Sequence, residues 1–167
     1  MKNLNPAMLV VFILVLTGCA PPQEPEIKRE VDFSIRHIEI PSMSGKGYNI
    51  TMSVSKTGDF EFVTLGTENN VLNSASGKLS DVELKELEDF VVNENKFFEL
   101  PAGLPGIGGE PCLDEPMQYI EVVKAERQHK VSAGCTDNKA YLNIIQKLDS
   151  YRKEFMPLIV PPIAERV

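Results

Sequence analysis

Residues 48–55, YNITMSVS, alternate without a break: Tyr48, Ile50, Met52 and Val54 stand in one phase, Asn49, Thr51, Ser53 and Ser55 in the other. A period of two is what a strand with one buried and one solvated face requires, and a one-residue slip would turn every apolar side chain to water. Lys56-Thr57-Gly58-Asp59 is a turn, and FEFVTL from Phe60 returns as the partner strand. A third segment, VLNSAS from Val71, follows the turn GTENN, so this part of the chain is an antiparallel meander. Upstream, DFSIRHIEI carries Phe33 and Ile35 in one phase and Ile38 and Ile40 in the other. That change of phase suggests a bulge or a strand buried on both faces.

The next signal is helical. In LSDVELKELEDFVV, Ser80 is the expected N-cap and Glu83 follows three residues later, a capping box; Leu79 and Leu84 sit where a hydrophobic staple closes. Leu84, Leu87, Phe90 and Val91 form one apolar stripe. The helix is expected to end near Asn93 to Asn95, with Phe97, Phe98 and Leu100 dropping into the core. A long Gly/Pro loop follows, PAGLPGIGGEPCLDEP. Loops above about 12 residues in compact domains are often functional, which makes Gly103, Leu104, Pro105, Gly106, Ile107, Gly108, Gly109 and Glu110 a candidate binding loop. The alternative is a plain connection.

Two more strands, MQYIEVVK and RQHKVSAG, meet at a tight turn near Ala125 and Glu126, and a second helix starts near Asp137 with Tyr141, Ile145 and Leu148 at helical spacing. Strand runs followed by a helix, a hairpin and another helix read as α+β: an antiparallel sheet of about five strands packed against two helices. Residues 32–156 form the single domain. The tail from residue 157, PLIVPPIAERV after Met156, is apolar yet broken by Pro157, Pro161 and Pro162. It reads either as an extended segment packed on the body or as a free recognition segment.

Motifs for catalysis fail on context. SVSKTG holds both S-x-x-K and K-T-G, signatures of serine β-lactamases, but in those enzymes the two lie on separate elements and cannot share Lys56. Here they fall on a strand end and its turn. There is no G-x-S-x-G elbow and no H-E-x-x-H pair, and GIGGE lacks the Lys-Ser/Thr of a phosphate loop. His37 and His129 both sit in expected strands and read as surface or edge side chains. Glu110, Asp114 and Glu115 lack EF-hand spacing. No enzyme, metal site or cofactor is expected.

The N-terminus sets the compartment. Residues 7–15, AMLVVFILV, follow a single Lys2 and are too few to span a bilayer, which takes about 20. A charged start, a short apolar run and small residues describe a cleavable signal peptide over 1–18. Its end, Leu16-Thr17-Gly18-Cys19, resembles the bacterial lipobox. The resemblance implies cleavage before Cys19 and acylation of its thiol and new amine. Residues 19–31, rich in proline and charge, then serve as a tether. Ala20, where inner-membrane lipoproteins tend to carry Asp, implies the periplasmic face of an outer membrane. Without Lys2 the chain holds 16 basic and 24 acidic side chains, so nucleic acid is not an expected partner. With Cys19 lipidated, Cys112 and Cys135 remain as a pair in an oxidising compartment, where a disulfide is expected. The competing use, a zinc site with His37 or His129, has no paired ligand spacing behind it.

The layout from Tyr48 to Leu148 carries a second resemblance. YNITMSVSKTGDFEFV, then a helix with L-x-x-L before Phe-Phe-x-Leu, then MQYIEVVK and RQHKVS leading to a final helix, resembles an uncharacterised bacterial lipoprotein-domain family. The same layout is similar to emfourin-like inhibitors of thermolysin-type metalloproteases. It implies a non-enzymatic binding module for an envelope protein, with a protease as one class of partner. The alternative function is a structural or assembly-accessory lipoprotein of the envelope.

Overall fold

The computed structural model describes residues 31–42, 48–66, 68–110, 112 and 115–156. The expected signal peptide, Cys19, the expected tether before Val31 and the tail from Pro157 lie outside the described residues.

Six strands form one antiparallel sheet: β1 (Phe33–Ile40), β2 (Asn49–Val54), β3 (Asp59–Leu65), β4 (Val71–Lys78), β5 (Met117–Lys124) and β6 (Arg127–Ala133), in the order β4-β3-β2-β1-β5-β6. The sequence-based count of about five is low by one, since every alternating segment pairs. The hairpin of β2 and β3 registers Val54 on Phe60, Met52 on Phe62 and Ile50 on Thr64. These rows continue through Ile35 and His37 of β1 to Val122 and Ile120 of β5. One face therefore collects Phe33, Ile35, Met52, Val54, Phe60, Phe62, Ile120, Val122 and Val131, all buried. Gly58 makes the β2–β3 turn possible with φ +82°, a left-handed conformation in which an added Cβ would lie 2.7 Å from the Leu79 carbonyl oxygen.

Helix α1 (Asp81–Asp89) begins as its sequence dictates. The Ser80 hydroxyl accepts from the Glu83 N–H, and the Glu83 carboxylate accepts from the Ser80 N–H at 2.7 Å. Leu79 and Leu84 are both buried beside this reciprocal cap. Ser80→Ala is expected to lower unfolding free energy by about 1 kcal/mol, read as a lower urea midpoint at unchanged slope. Phe90–Glu94 widens into a π-turn that closes on Asn95, whose N–H and side-chain amide both donate to the Phe90 carbonyl. Glu88, buried on α1, accepts from Lys85 and from Lys124 of β5, which ties the helix to the end of the sheet.

Helix α2 (Lys139–Phe155) starts from Asn138, one residue later than expected, because the Asn138 side chain accepts from the Tyr141 N–H. Tyr141, Ile144, Leu148 and Tyr151 bury the face that meets the sheet, while Ile145 packs only partly. Phe155 ends the helix 5.4 Å from the Phe60 ring. Among the described residues both helices share one core with the same sheet face. Ile38 and Ile40 therefore have a simple explanation. The pairing of β1 with β2 and with β5 runs without a shift, so there is no bulge, and the two isoleucines point to the opposite face. The register shift in the sheet falls instead between Thr64 and Leu65.

Candidate functional site

The candidate loop 103–110 is held at its base and open at its tip. The Ser132 N–H donates to the Ala102 carbonyl at 2.8 Å, and the Leu104 N–H donates to the Ser132 carbonyl at 2.9 Å, so residues 102–104 run beside β6 in a parallel bridge. This covers the outer edge of β6, a common protection for a strand that would otherwise offer free donors and acceptors. Leu104 leans on the core while Pro105 is exposed. Gly106 then turns against the cysteines: an added Cβ would collide with the Glu110 carbonyl and lie 2.9 Å from the Cys112 sulfur. Gly108 and Gly109 take φ +66° and +83° in open space, so backbone conformation, not crowding, makes glycine the fitting residue there. Ile107 stands at the tip, 60% exposed, and Glu110 is exposed beside it.

Cys112 and Cys135 stand at disulfide distance, with Cα atoms 5.6 Å apart. The Cys135 N–H also donates to the Cys112 sulfur at 2.8 Å. Because Gln118 pairs with Ala133, the bridge joins the entry of β5 to the exit of β6 and anchors the far end of the loop to the hairpin. Gly134 packs here, where a Cβ would lie 3.2 Å from Cys112 Cβ and 3.8 Å from Met117 sulfur.

Met117 leads onto the second sheet face, which the described helices leave uncovered. Its polarity is divided along the strands. One cross-strand row reads Glu61, Ser53, Arg36, Glu121, Lys130, with charges of opposite sign adjacent from Arg36 onward. The next reads Val63, Thr51, Ile38, Tyr119, Ser132, and beyond it Ile40 pairs with Met117. Lys130 lies 4.3 Å above the Tyr119 ring, at the boundary between the two halves. Ile40 and Met117 are 43% and 41% exposed. The apolar end of this face is thus the end at which the loop and the cysteine pair lie. Sequence reasoning missed it, although the phase change at Ile38 and Ile40 was its signal.

His37 corrects another expectation. It is not a surface or edge side chain but is 1% exposed, on the core face between Met52 and Ile120. Among the described residues neither ring nitrogen has a hydrogen-bond partner, and the same holds for the Tyr141 hydroxyl. Burial lowers the His37 pKa to about 4, and the Gln118 amide beside it pulls weakly the other way. Burial raises Glu39 on the same strand face, and burial with the nearby Glu39 charge raises Tyr141. His, Glu and Tyr in one neighbourhood imitate an acid–base set. The imidazole, however, is sealed from solvent, so no substrate atom reaches it in this conformation. His129 differs: it sits partly buried on β6, with Nε2 2.8 Å from the Leu100 carbonyl and its ring against Phe97 and Phe98. Arg127 covers Phe98 at 4.2 Å. That contact seats the segment after α1 against the hairpin.

The SVSKTG stretch is a strand end and turn, as its context indicated. Lys56 pairs with Asp32, and Asp59 accepts from Lys78 at 2.8 Å and from the Thr57 hydroxyl. Among the described residues no group of three or more His, Cys, Asp or Glu is placed to hold a metal ion; Asp114 lies outside them. No described helix is long and apolar enough to cross a membrane. No protein-family model and no curated protein matches this sequence.

Proposed function

We propose that this chain is a lipid-anchored, non-enzymatic binding module of the bacterial envelope, held by Cys19 at the periplasmic face of the outer membrane. Its partner is an envelope protein. The observation that carries the reading is the continuity of two recognition elements at one end of the domain. A glycine-rich loop is fastened at both ends and exposes Ile107. The sheet face that the described helices leave uncovered places Ile40, Met117 and Tyr119 at that same end. Apolar side chains on a rigid scaffold lose little conformational freedom on binding, which is the usual condition for a small surface to bind tightly. A protease is the partner class implied by the emfourin-like layout, and inhibition is then the consequence of docking.

Chemical cross-linking in intact envelopes is expected to recover one dominant partner with the wild-type chain. Ile40→Asp, and separately removal of 106–109, should each reduce that recovery at least about tenfold, the size of a lost interface anchor, while the unfolding transition of Ile40→Asp stays where it was. Cys19→Ser should abolish palmitate labelling. Wild-type recovery with both surface variants would leave the domain as a spacer or assembly accessory and overturn the binding reading.

A further inference from the structure

The cationic side chains on the described strands are Arg36, Lys78, Lys124, Arg127 and Lys130, and all but the first have a partner. Lys78 pairs with Asp59 and Lys124 with Glu88, while Arg127 covers the Phe98 ring and Lys130 the Tyr119 ring. Arg36, exposed on β1, has no ion pair, side-chain hydrogen bond or ring contact among the described residues. Glu121 lies directly across from it on β5, but that carboxylate accepts from Gln128 of β6 instead.

Arg36 borders a recess of about 270 Å³, lined by Ser34, Ser53, Ser55, Glu121 and Val123, on the sheet face that the described helices leave uncovered. Small side chains create the space. Ser53 stands opposite Arg36 on β2, and Ser34 precedes it by two residues on the same face of β1. Ser55 is occupied in the β2–β3 turn with Thr57 and Asp59, whereas the Ser34 and Ser53 hydroxyls have no partner among the described residues. A guanidinium is a planar fork that holds a carboxylate through two parallel hydrogen bonds, and the free hydroxyls beside it are further donors. Glu121 repels an anion on the β5 side, so entry is over Ser34 and Ser53. The volume falls below the range of small-molecule pockets, about 300–1,000 Å³, and the recess opens outward. A side chain delivered by a larger body fits it better than a free metabolite.

We propose that this recess is a carboxylate-binding subsite that receives an Asp or Glu side chain of the protein partner. It rests on the docking of an envelope protein against this face and adds that partner's chemistry. Arg36, Ile38 and Ile40 follow one another at two-residue steps on the same face of β1, which sets Arg36 about 13 Å from Ile40. A partner seated on Ile40 and Met117 therefore carries its acidic group about 13 Å from its apolar anchor.

Two neutral-ended probes that differ only in charge test the subsite without the partner: N-acetylglutamic acid α-amide, with one side-chain carboxylate, and N-acetylglutamine α-amide, with none. In nuclear magnetic resonance titrations at matched ionic strength, the acid is expected to shift the Ser34, Arg36 and Ser53 amides saturably, with an affinity that falls as salt is raised. The glutamine probe should leave them in place, and Arg36→Gln, a change at an exposed position, should abolish the response to the acid. Absence of a saturable shift, equal shifts with both probes, or a response that survives Arg36→Gln would each overturn the subsite. In envelope cross-linking, Arg36→Glu should lower partner recovery about tenfold or more, and Arg36→Lys should lower it less. Full recovery with Arg36→Glu would overturn the assignment of the carboxylate to the partner even where the probe binds. A wild-type chain that captures no partner overturns the docking reading, a failure separate from that of the subsite, which the titration reads by itself.

Discussion

Replacing Cys112 and Cys135 together by serine is expected to lower the unfolding free energy by about 3 kcal/mol. The figure follows from the chain entropy that a crosslink across a separation of 23 residues removes from the unfolded state. The loss should be unevenly distributed. Ser132 still holds residues 102–104 on the β6 edge through backbone hydrogen bonds that do not involve the cysteines. Gly106, by contrast, packs directly on the Cys112 sulfur, and residues 107–110 have their nearest fixed point there. Hydrogen exchange should therefore accelerate strongly at 106–110 and little at 102–104. Urea denaturation with and without dithiothreitol measures the global effect. An unmoved midpoint on reduction would show that the bridge does not constrain the unfolded chain, and with it would fall the argument that the loop is presented rigidly. Should partner capture also fail on reduction while 102–104 stay protected, the contact surface is located at the 106–110 tip.

Much of this architecture is readable before any coordinates, and the reasons are local. The Tyr48 to Leu65 hairpin has one buried face and one turn chemistry, so its period of two admits one register. Ser80 and Glu83 satisfy each other's backbone donors within a single turn, which makes the start of α1 independent of the rest of the protein. Two positions, Ile38 with Ile40, left open between a bulge and burial on both faces, and His37, misjudged as exposed, are decided by what lies across the sheet. Ile38 and Ile40 break the phase of β1 because two different faces are apolar at different points along the strand: Phe33 and Ile35 face the helices, while Ile38 and Ile40 join Met117 and Tyr119 on the open side. No window along one strand contains that information. His37 occupies the phase of Phe33 and Ile35, so its burial follows from the register, but polarity argued the other way. The loop shows the same division. Its glycines announce irregular backbone, whereas its attachment to β6 depends on Ser132, about 30 residues downstream, meeting Ala102 across space.

His37 is the position with the clearest pH signature. Its pKa is about 4 in the folded protein against 6.5 when free in water, since burial penalises the imidazolium. The unfolded chain thus binds the proton more readily than the folded one. Stability from this group is complete above pH 6.5, falls as pH drops below 6.5, and is lost by about pH 4, a total of about 3 kcal/mol at roughly 1.4 kcal/mol per unit. Glu39, which shares its strand face, acts in the opposite sense because burial raises its pKa, so the folded form gains protons earlier and offsets part of the slope. Gln118 is neutral and Tyr141 titrates far above this range. The carboxylates with lowered values, Asp59, Glu83 and Asp149, lose their contributions only as pH falls below their ordinary range, from 4.5 downward. Between pH 6.5 and 5 the histidine therefore drives the decline, against the opposing slope of Glu39. His37→Leu removes two unpaired ring nitrogens from the core and is expected to be at least as stable as the wild type at pH 7.5. It should also show a urea midpoint that does not decline between pH 6.5 and 5, where the wild-type midpoint declines. Equal declines in the two proteins would mean that the imidazole finds a proton partner inside the core, and that the polar neighbourhood of Gln118, Glu39 and Tyr141 stabilises the charged ring.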